Sequence, residues 1–149
     1  MIRQDPVFQI HPIGIVRKSD ETIRININSH YGQALVGLEG FSHINVFYWF
    51  DQNDTPDKRS VFQVNPCRNP DNPLTGVFAT HSPLRPNLIG MSLCEILKIE
   101  STTIWIDQID ALDGSPVIDI KCFIPTTRSL ERLRMPPWAH AARRNRYGK

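Results

Sequence analysis

Apolar residues in this chain fall in short runs, many of them at every second position. Ile23, Ile25 and Ile27 alternate with Arg24, Asn26 and Asn28 over Thr22 to Asn28. A period of two carried by β-branched side chains predicts a half-buried strand. Val117 to Ile124 alternates again, with Ile118, Ile120, Cys122 and Ile124 opposing Asp119 and Lys121. Phe8 to Arg17 reads as a first strand, with Pro12 marking an edge or a bulge. Ile44 to Phe50, INVFYWF, is the most apolar run and predicts a central strand buried on both faces, with Phe47 and Trp49 in the core. It delivers Asp51 and Gln52 at its end. Val61 to Val64, Gly76 to Thr80, Ile89 to Ile99 and Thr103 to Ile109 complete the set of strands. In Ile89 to Ile99, a strand is preferred to a helix because Met91, Leu93, Leu97 and Ile99 share one alternate set.

Turn signals separate these runs. Asp20-Glu21 is a turn. Tyr31 to Phe41, with Gly37 and Gly40, is a connecting turn or short helix. Gln52 to Ser60 is a polar loop, and Asn65 to Thr75, with three prolines and three asparagines, is a long one. Asp110 to Pro116, DALDGSP, holds the strong turn dipeptide Asp-Gly. After Pro125 the alternation dissolves. Ser129 to Arg134 is expected to form one or two helical turns before Pro136-Pro137. Short strands with little helix predict an antiparallel all-β barrel or sandwich.

Length and composition narrow this further. A chain of 149 residues is sized for one domain with a real core. It has no run that spans a bilayer and no apolar stretch of signal-peptide type at its start, so a soluble cytoplasmic protein is expected. Three cysteines, Cys67, Cys94 and Cys122, without a C-x-x-C, argue against a disulfide framework and a structural zinc. Cys94 and Cys122 lie in apolar runs, where a buried small hydrophobe is the usual role. The net charge of +2 conceals an uneven distribution. Residues 126–149 carry seven Lys/Arg and one acid, whereas the preceding 125 carry ten bases and fourteen acids. A basic tail beside an acidic body suits a polyanion such as RNA, an acidic partner, or simply a solvated terminus.

The stretch Gly76 to Ser92, GVFATHSPLRPNLIGMS, concentrates the chemistry. Pro83 and Pro86 stiffen a loop that presents His81, Ser82, Arg85 and Asn87. No glycine-rich phosphate loop and no G-x-S-x-G nucleophile elbow occurs. The five histidines have no paired ligand spacing, so no metal site is expected. His43, between Phe41 and Ile44, reads as a hydrogen-bonded core histidine. What remains is polar residues at strand ends: Asp51 and Gln52, the His81–Asn87 loop, and Asp110 with Asp113. In a barrel such ends converge on a mouth that binds small ligands, although Asp110 and Asp113 can also serve only their own turn.

IGIVR at Ile13–Arg17, LEGFSHINVFYWFDQ at Leu38–Gln52, GVFATHSPLRPNLIGMS and DALDGSPVIDIKCFIP at Asp110–Pro125 resemble the TsaA-like (TrmO) family. The resemblance runs over roughly residues 13–125, four ordered blocks rather than one short motif. It implies a single-sheeted antiparallel β-barrel over residues 1–125, followed by a basic tail over 126–149. It also implies a homodimer with the cofactor near the subunit interface. The implied activity is S-adenosylmethionine-dependent methylation of N6 of threonylcarbamoyladenosine beside the tRNA anticodon. Implied cofactor contacts are Asp51, Gln52, His81, Met91, Asp110, Ala111, Leu112 and Asp113. Arg85 and Asn87 orient substrate or brace the loop. Methyl transfer is an in-line displacement that gains from collinear positioning, and a urea-like nitrogen gains from a general base. Asp113 and His81 are candidates for that base by residue type.

The chain departs from the family pattern at several points. Many members carry arginine where His81 stands and proline where Leu88 stands. Many have a longer segment where Ser19 to Glu21 is a plain turn, and better-known bacterial members add a C-terminal domain. Two other readings stay open: a methyltransferase of the same fold acting on another small molecule or nucleobase, and a non-catalytic barrel that binds a nucleotide-like ligand.

Overall fold

The computed structural model describes residues 5–126 and 132–147, with side chains as far as Ala142. The chain divides into two compact units, one of Met1–Asp51 with Ile89–Phe123 and one of Gln52–Leu88 with Ile124–Lys149.

The first unit is a closed antiparallel barrel. Its strands are β1 (Gly14–Lys18), β2 (Ile23–Ile27), β3 (His43–Trp49), β6 (Ile89–Glu100), β7 (Thr103–Ile106) and β8 (Pro116–Cys122). Around the barrel they run β1-β2-β7-β6-β3-β8, and β8 pairs back onto β1. Closure removes the free edges that an open sheet would expose. Alternate side chains fill the interior: Val16, Ile25, Ile44, Val46, Cys94, Ile104 and Val117 are fully buried. Val16 pairs with Ile25, Ile25 with Ile104, and Ile44 with Cys94, so β-branched and small residues meet in layers across the sheet. Tyr48 is opposite Gly90, where a Cβ would collide with the Tyr48 and Phe50 rings. Glycine at that place lets the two rings pack edge to face at 5.5 Å.

Two bulges set which residues face inward. Between β6 and β7 the register passes from Ile96 to Lys98, skipping Leu97. Ile96 and Ile99 therefore both pack on the core while Leu97 is 62% exposed. Between β3 and β8 the register skips Ile118, which turns Val117 fully inward.

Several strand expectations are corrected. The first strand begins at Gly14, not Phe8: Pro12 supplies no N–H, and Phe8 and Ile10 lie in solvent. INVFYWF is fully buried on one face only. Ile44, Val46 and Tyr48 point in, while Phe47 and Trp49 are half-buried on the outside and are not core. The strand expected over Ile89 to Ile99 does form, as β6; its Met91, Leu93 and Leu97 face outward, and Gly90 and Cys94 supply the buried side. In β8 the fully buried residue is Val117, and Ile124 lies beyond the strand in solvent.

The second unit holds a two-stranded ribbon, β4 (Gln63–Val64) with β5 (Thr75–Gly76). Gly76 to Thr80 is not a strand. Val77–Ala79 forms a 3-10 turn, closed by the Thr80 N–H and Oγ1 both donating to the Val77 carbonyl. The polar segment after Gln52 contains a short helix, α1 (Pro56–Arg59), with Pro56 in its first turn and Thr55 as its cap. The alternation that dissolves after Pro125 gives way to helix α2 (Pro137–Tyr147). Pro137 occupies the first helical position, where a missing N–H goes unused, so the Pro-Pro pair begins a helix instead of ending one. The one or two helical turns expected over Ser129 to Arg134 fall largely outside the described residues. The connecting segment Tyr31 to Phe41 carries the 3-10 helices Ser29–Leu35 and Leu38–Gly40, as expected.

Candidate functional site

In the first unit, the polar residues of interest gather around the Asp110–Asp113 turn. Ala111 is buried, which anchors the turn, while Asp110, Leu112 and Asp113 are exposed. Gly114, at φ 82°, takes the left-handed conformation that closes it. The Gly114 N–H donates to the Val16 carbonyl at 2.8 Å and the Ser115 N–H to Leu112 at 3.1 Å. The Lys18 N–H donates to Asp113 Oδ1 at 2.8 Å, and Lys18 Nζ donates to the Ile109 carbonyl at 2.7 Å. On the other side the Asp110 N–H donates to Ser92 Oγ at 3.3 Å, and that hydroxyl lies 3.4 Å from the Tyr48 hydroxyl. The turn is thus fastened to β1 and to β6, and it displays two carboxylates and the Leu112 side chain.

Met91 precedes Ser92 and faces outward, opposite Phe47. With Trp49 opposite Ile89 and Asn45 opposite Leu93, it belongs to a row of apolar side chains on the outer face of β3 and β6. Ile89, Met91 and Leu93 are 43%, 50% and 44% exposed. Asp51 follows β3 and opens a 3-10 turn, exposed to solvent. Burial pushes the Cys94 thiol up to about 12, with the Asp107 and Asp110 carboxylates adding to the effect. Cys94 is accordingly a neutral interior group, as expected of a small hydrophobe. His43 is half-buried, with Nδ1 2.8 Å from Ser42 Oγ and its ring edge-on to Phe123.

The His81–Asn87 loop belongs to the second unit and is tied by hydrogen bonds of its own. Thr80 Oγ1 accepts from the Ser82 N–H and Ser82 Oγ from the Leu84 N–H, each at 3.1 Å. Arg85 Nη1 donates to the carbonyls of Thr80 and Ser82, so Arg85 braces the loop from within. Arg59 Nε donates to the Pro86 carbonyl at 2.9 Å. His81 and Asn87 are exposed, as is Gln52 in the same unit, whose carbonyl accepts from Lys58 Nζ. His81 and Ser82 line a cavity of about 760 Å3 within this unit, together with Arg68 and Trp138.

The structure therefore brings Asp110, Ala111, Leu112 and Asp113 together with Ser92, the neighbour of Met91, in one unit. It places Gln52, His81, Arg85 and Asn87 in the other. Ser92 and Lys18 escaped the sequence reading because their roles depend on partners 18 and 95 residues away. The only local signal was a hydroxyl set in an apolar strand. Among the described residues no group of three or more His, Cys, Asp or Glu could hold a metal ion, and no helix is long and apolar enough to cross a membrane.

Comparison with known proteins agrees with this architecture. Residues 9–129 match the family model of the tRNA-methyltransferase O N-terminal domain. A Pyrococcus horikoshii protein named "Probable S-adenosyl-L-methionine-binding protein" is 45% identical over 116 residues, covering 78% of this chain and 82% of that protein. The tRNA (adenine(37)-N6)-methyltransferase of Escherichia coli is 36% identical over 121 residues, 78% of this chain but 51% of the enzyme. The crystal structure of TrmO from Pseudomonas aeruginosa superposes with a TM-score of 0.69 at 26% identity, covering 91% of this chain. This chain spans 63% of that TrmO chain. By sequence and by fold, the chain belongs to the tRNA-methyltransferase O N-terminal domain (TsaA-like) family.

Proposed function

We propose that this protein binds S-adenosylmethionine and transfers its methyl group to N6 of threonylcarbamoyladenosine beside the tRNA anticodon. The observation that carries the cofactor half is the fastened Asp110–Asp113 turn. S-adenosylmethionine supplies an electrophilic methyl group on a cationic sulfonium. Asp110 and Asp113 offer the negative charge that such a cation and a pair of ribose hydroxyls call for, and exposed Leu112 and Met91 offer apolar surface to an adenine. A turn held at both flanks loses little freedom on binding, which preserves affinity. Asp51 is a further contact by family resemblance. Gln52 and His81 are carried by the same resemblance, and each is tested by its own substitution. Asp113 and His81 stay the candidates for a general base, distinguishable by the pH dependence of their conservative variants.

The methyl acceptor rests on the family and on the E. coli and Mus musculus relatives named tRNA (adenine(37)-N6)-methyltransferase. A homodimer is part of the same reading. It is supported by the outward apolar row Phe47, Trp49, Ile89, Met91 and Leu93, a patch of the kind that marks an interface. Met91 lies in that row, which fits a cofactor held close to a second copy.

One observation favours a second reading. Two archaeal relatives named only as probable S-adenosylmethionine-binding proteins are 45% and 42% identical to this chain, against 36% for the E. coli enzyme. A barrel that binds the cofactor and methylates a different acceptor fits that pattern. Incubation with methyl-labelled S-adenosylmethionine and RNA from cells lacking the protein separates the two. Label in tRNA at the modified adenosine supports the first reading, and label in small molecules alone supports the second.

A further inference from the structure

The cavity of about 760 Å3 in the second unit lies among the Val64–Arg68 segment, the Ala79–Leu84 loop and the start of α2. Pro66 and Trp138 contribute apolar surface, and Asn53, Asn65, Arg68 and His81 contribute polar groups. No carboxylate is among the described residues that line it. The charged group its described lining offers is the Arg68 guanidinium, a partner for phosphate.

The backbone of its basic group is unusual. Cys67 and Arg68 are consecutive non-glycine residues in the left-handed region, at φ 59° and 54°. Such strain persists where surrounding bonds over-determine it, and it collects at ligand clamps. Here Asn65 Nδ2 donates to the Asn72 carbonyl, Asn72 Nδ2 donates to Pro66, and the Asn69 N–H donates to Pro66. Among the described residues the Arg68 guanidinium has no hydrogen bond or ion pair. The loop thus holds a cation, unpaired among the described residues, at the edge of a cavity that is also lined by an indole.

We propose that this cavity seats one unstacked nucleotide of an RNA strand, its base on Trp138 and its phosphate on Arg68. The inference rests on the reading above that the substrate is RNA. Every base has a π-face, so an indole accepts any of them, and a guanidinium grips phosphate through paired N–H donors. Asn65 spends its Nδ2 on the loop, which leaves Oδ1 as an acceptor toward a base edge. Asn53 adds an amide with both donor and acceptor. The cavity volume falls within the range of small-ligand sites.

Filter binding of labelled, unfractionated tRNA to the full chain tests this over a series of salt concentrations. Calorimetry with S-adenosylhomocysteine runs in parallel on each variant. Trp138→Ala is expected to weaken tRNA binding about tenfold or more, and Trp138→Phe to restore it to within about threefold. Arg68→Ala is expected to weaken binding and lower the slope of log affinity against log salt by about one. S-adenosylhomocysteine affinity is expected to hold in all three. Unchanged tRNA affinity in both Trp138→Ala and Arg68→Ala, or a parent chain that does not bind tRNA, overturns the proposal. So does loss of S-adenosylhomocysteine binding with tRNA binding intact, since the cavity would then hold the cofactor. A chain that binds tRNA as expected but takes no S-adenosylhomocysteine sinks the methyltransferase reading and leaves this site standing.

Discussion

The Lys18 N–H donates to Asp113 Oδ1 at 2.8 Å, joining two residues 95 positions apart. Lys18 also sends Nζ to the Ile109 carbonyl, so one residue of β1 holds both ends of the turn that carries Asp110 and Asp113. Asp113 is then a structural acceptor as well as a charge, and the two roles separate by substitution. Asp113→Asn keeps Oδ1 and removes the charge, and it should melt within about 0.5 kcal/mol of the parent. Asp113→Ala loses the acceptor and should cost about 1–2 kcal/mol in denaturant unfolding. Equal stability of all three would mean that the bond does not hold the turn.

Cys94 gives the fold a pH dependence with a definite sign. Its thiol is pushed from its ordinary value of 9.0 up to about 12, chiefly by burial. In the unfolded chain the proton leaves near pH 9, and in the folded chain it stays. The stability this contributes is complete below about pH 9 and is lost as pH rises toward 12, with a slope approaching 1.4 kcal/mol per unit, roughly. Urea unfolding of the parent and of Cys94→Ala at pH 8, 9.5 and 10.5 should show curves that converge as pH rises. Parallel curves would place the thiol in contact with water.

The outward apolar row on β3 and β6 should be covered in solution. Phe47, Trp49, Ile89, Met91 and Leu93 line one face of two paired strands, and several of them are nearly half exposed. Light scattering is expected to give about twice the 17.1 kDa chain mass for the parent and the single mass for Leu93→Lys. A monomeric parent, or a dimer that survives Leu93→Lys and Met91→Lys alike, would assign the row to something other than a second copy.

The barrel was legible wherever alternation ran unbroken. Ile23 to Ile27 read as a strand and forms one, and the closed six-stranded barrel agrees with the expected all-β class. Facing failed in β8 at its bulge, and in β6 because the outward Met91 and Leu93 are as apolar as a core set. Skipping Leu97 and Ile118 shifts the inward set by one residue, and nothing local marks either position. INVFYWF misled because its outer residues are apolar too: a row that suits a protein interface has the composition of a core. The C-terminal helix was missed because a Pro-Pro pair more often stops a helix than starts one, and Trp138 was lost with it. The turn that carries Asp110 and Asp113 was legible through Asp-Gly chemistry and the family pattern. Ser92 and Lys18 were not, because their bonds close only when distant strands meet.

The most direct measurement is a calorimetric titration of S-adenosylmethionine into the parent chain and into Asp110→Asn/Asp113→Asn. One site per chain in the parent, with affinity about tenfold or more weaker in the double variant and its fold intact by circular dichroism, is the predicted result. A parent that takes up no S-adenosylmethionine, or a double variant that binds it as tightly as the parent, would contradict the account.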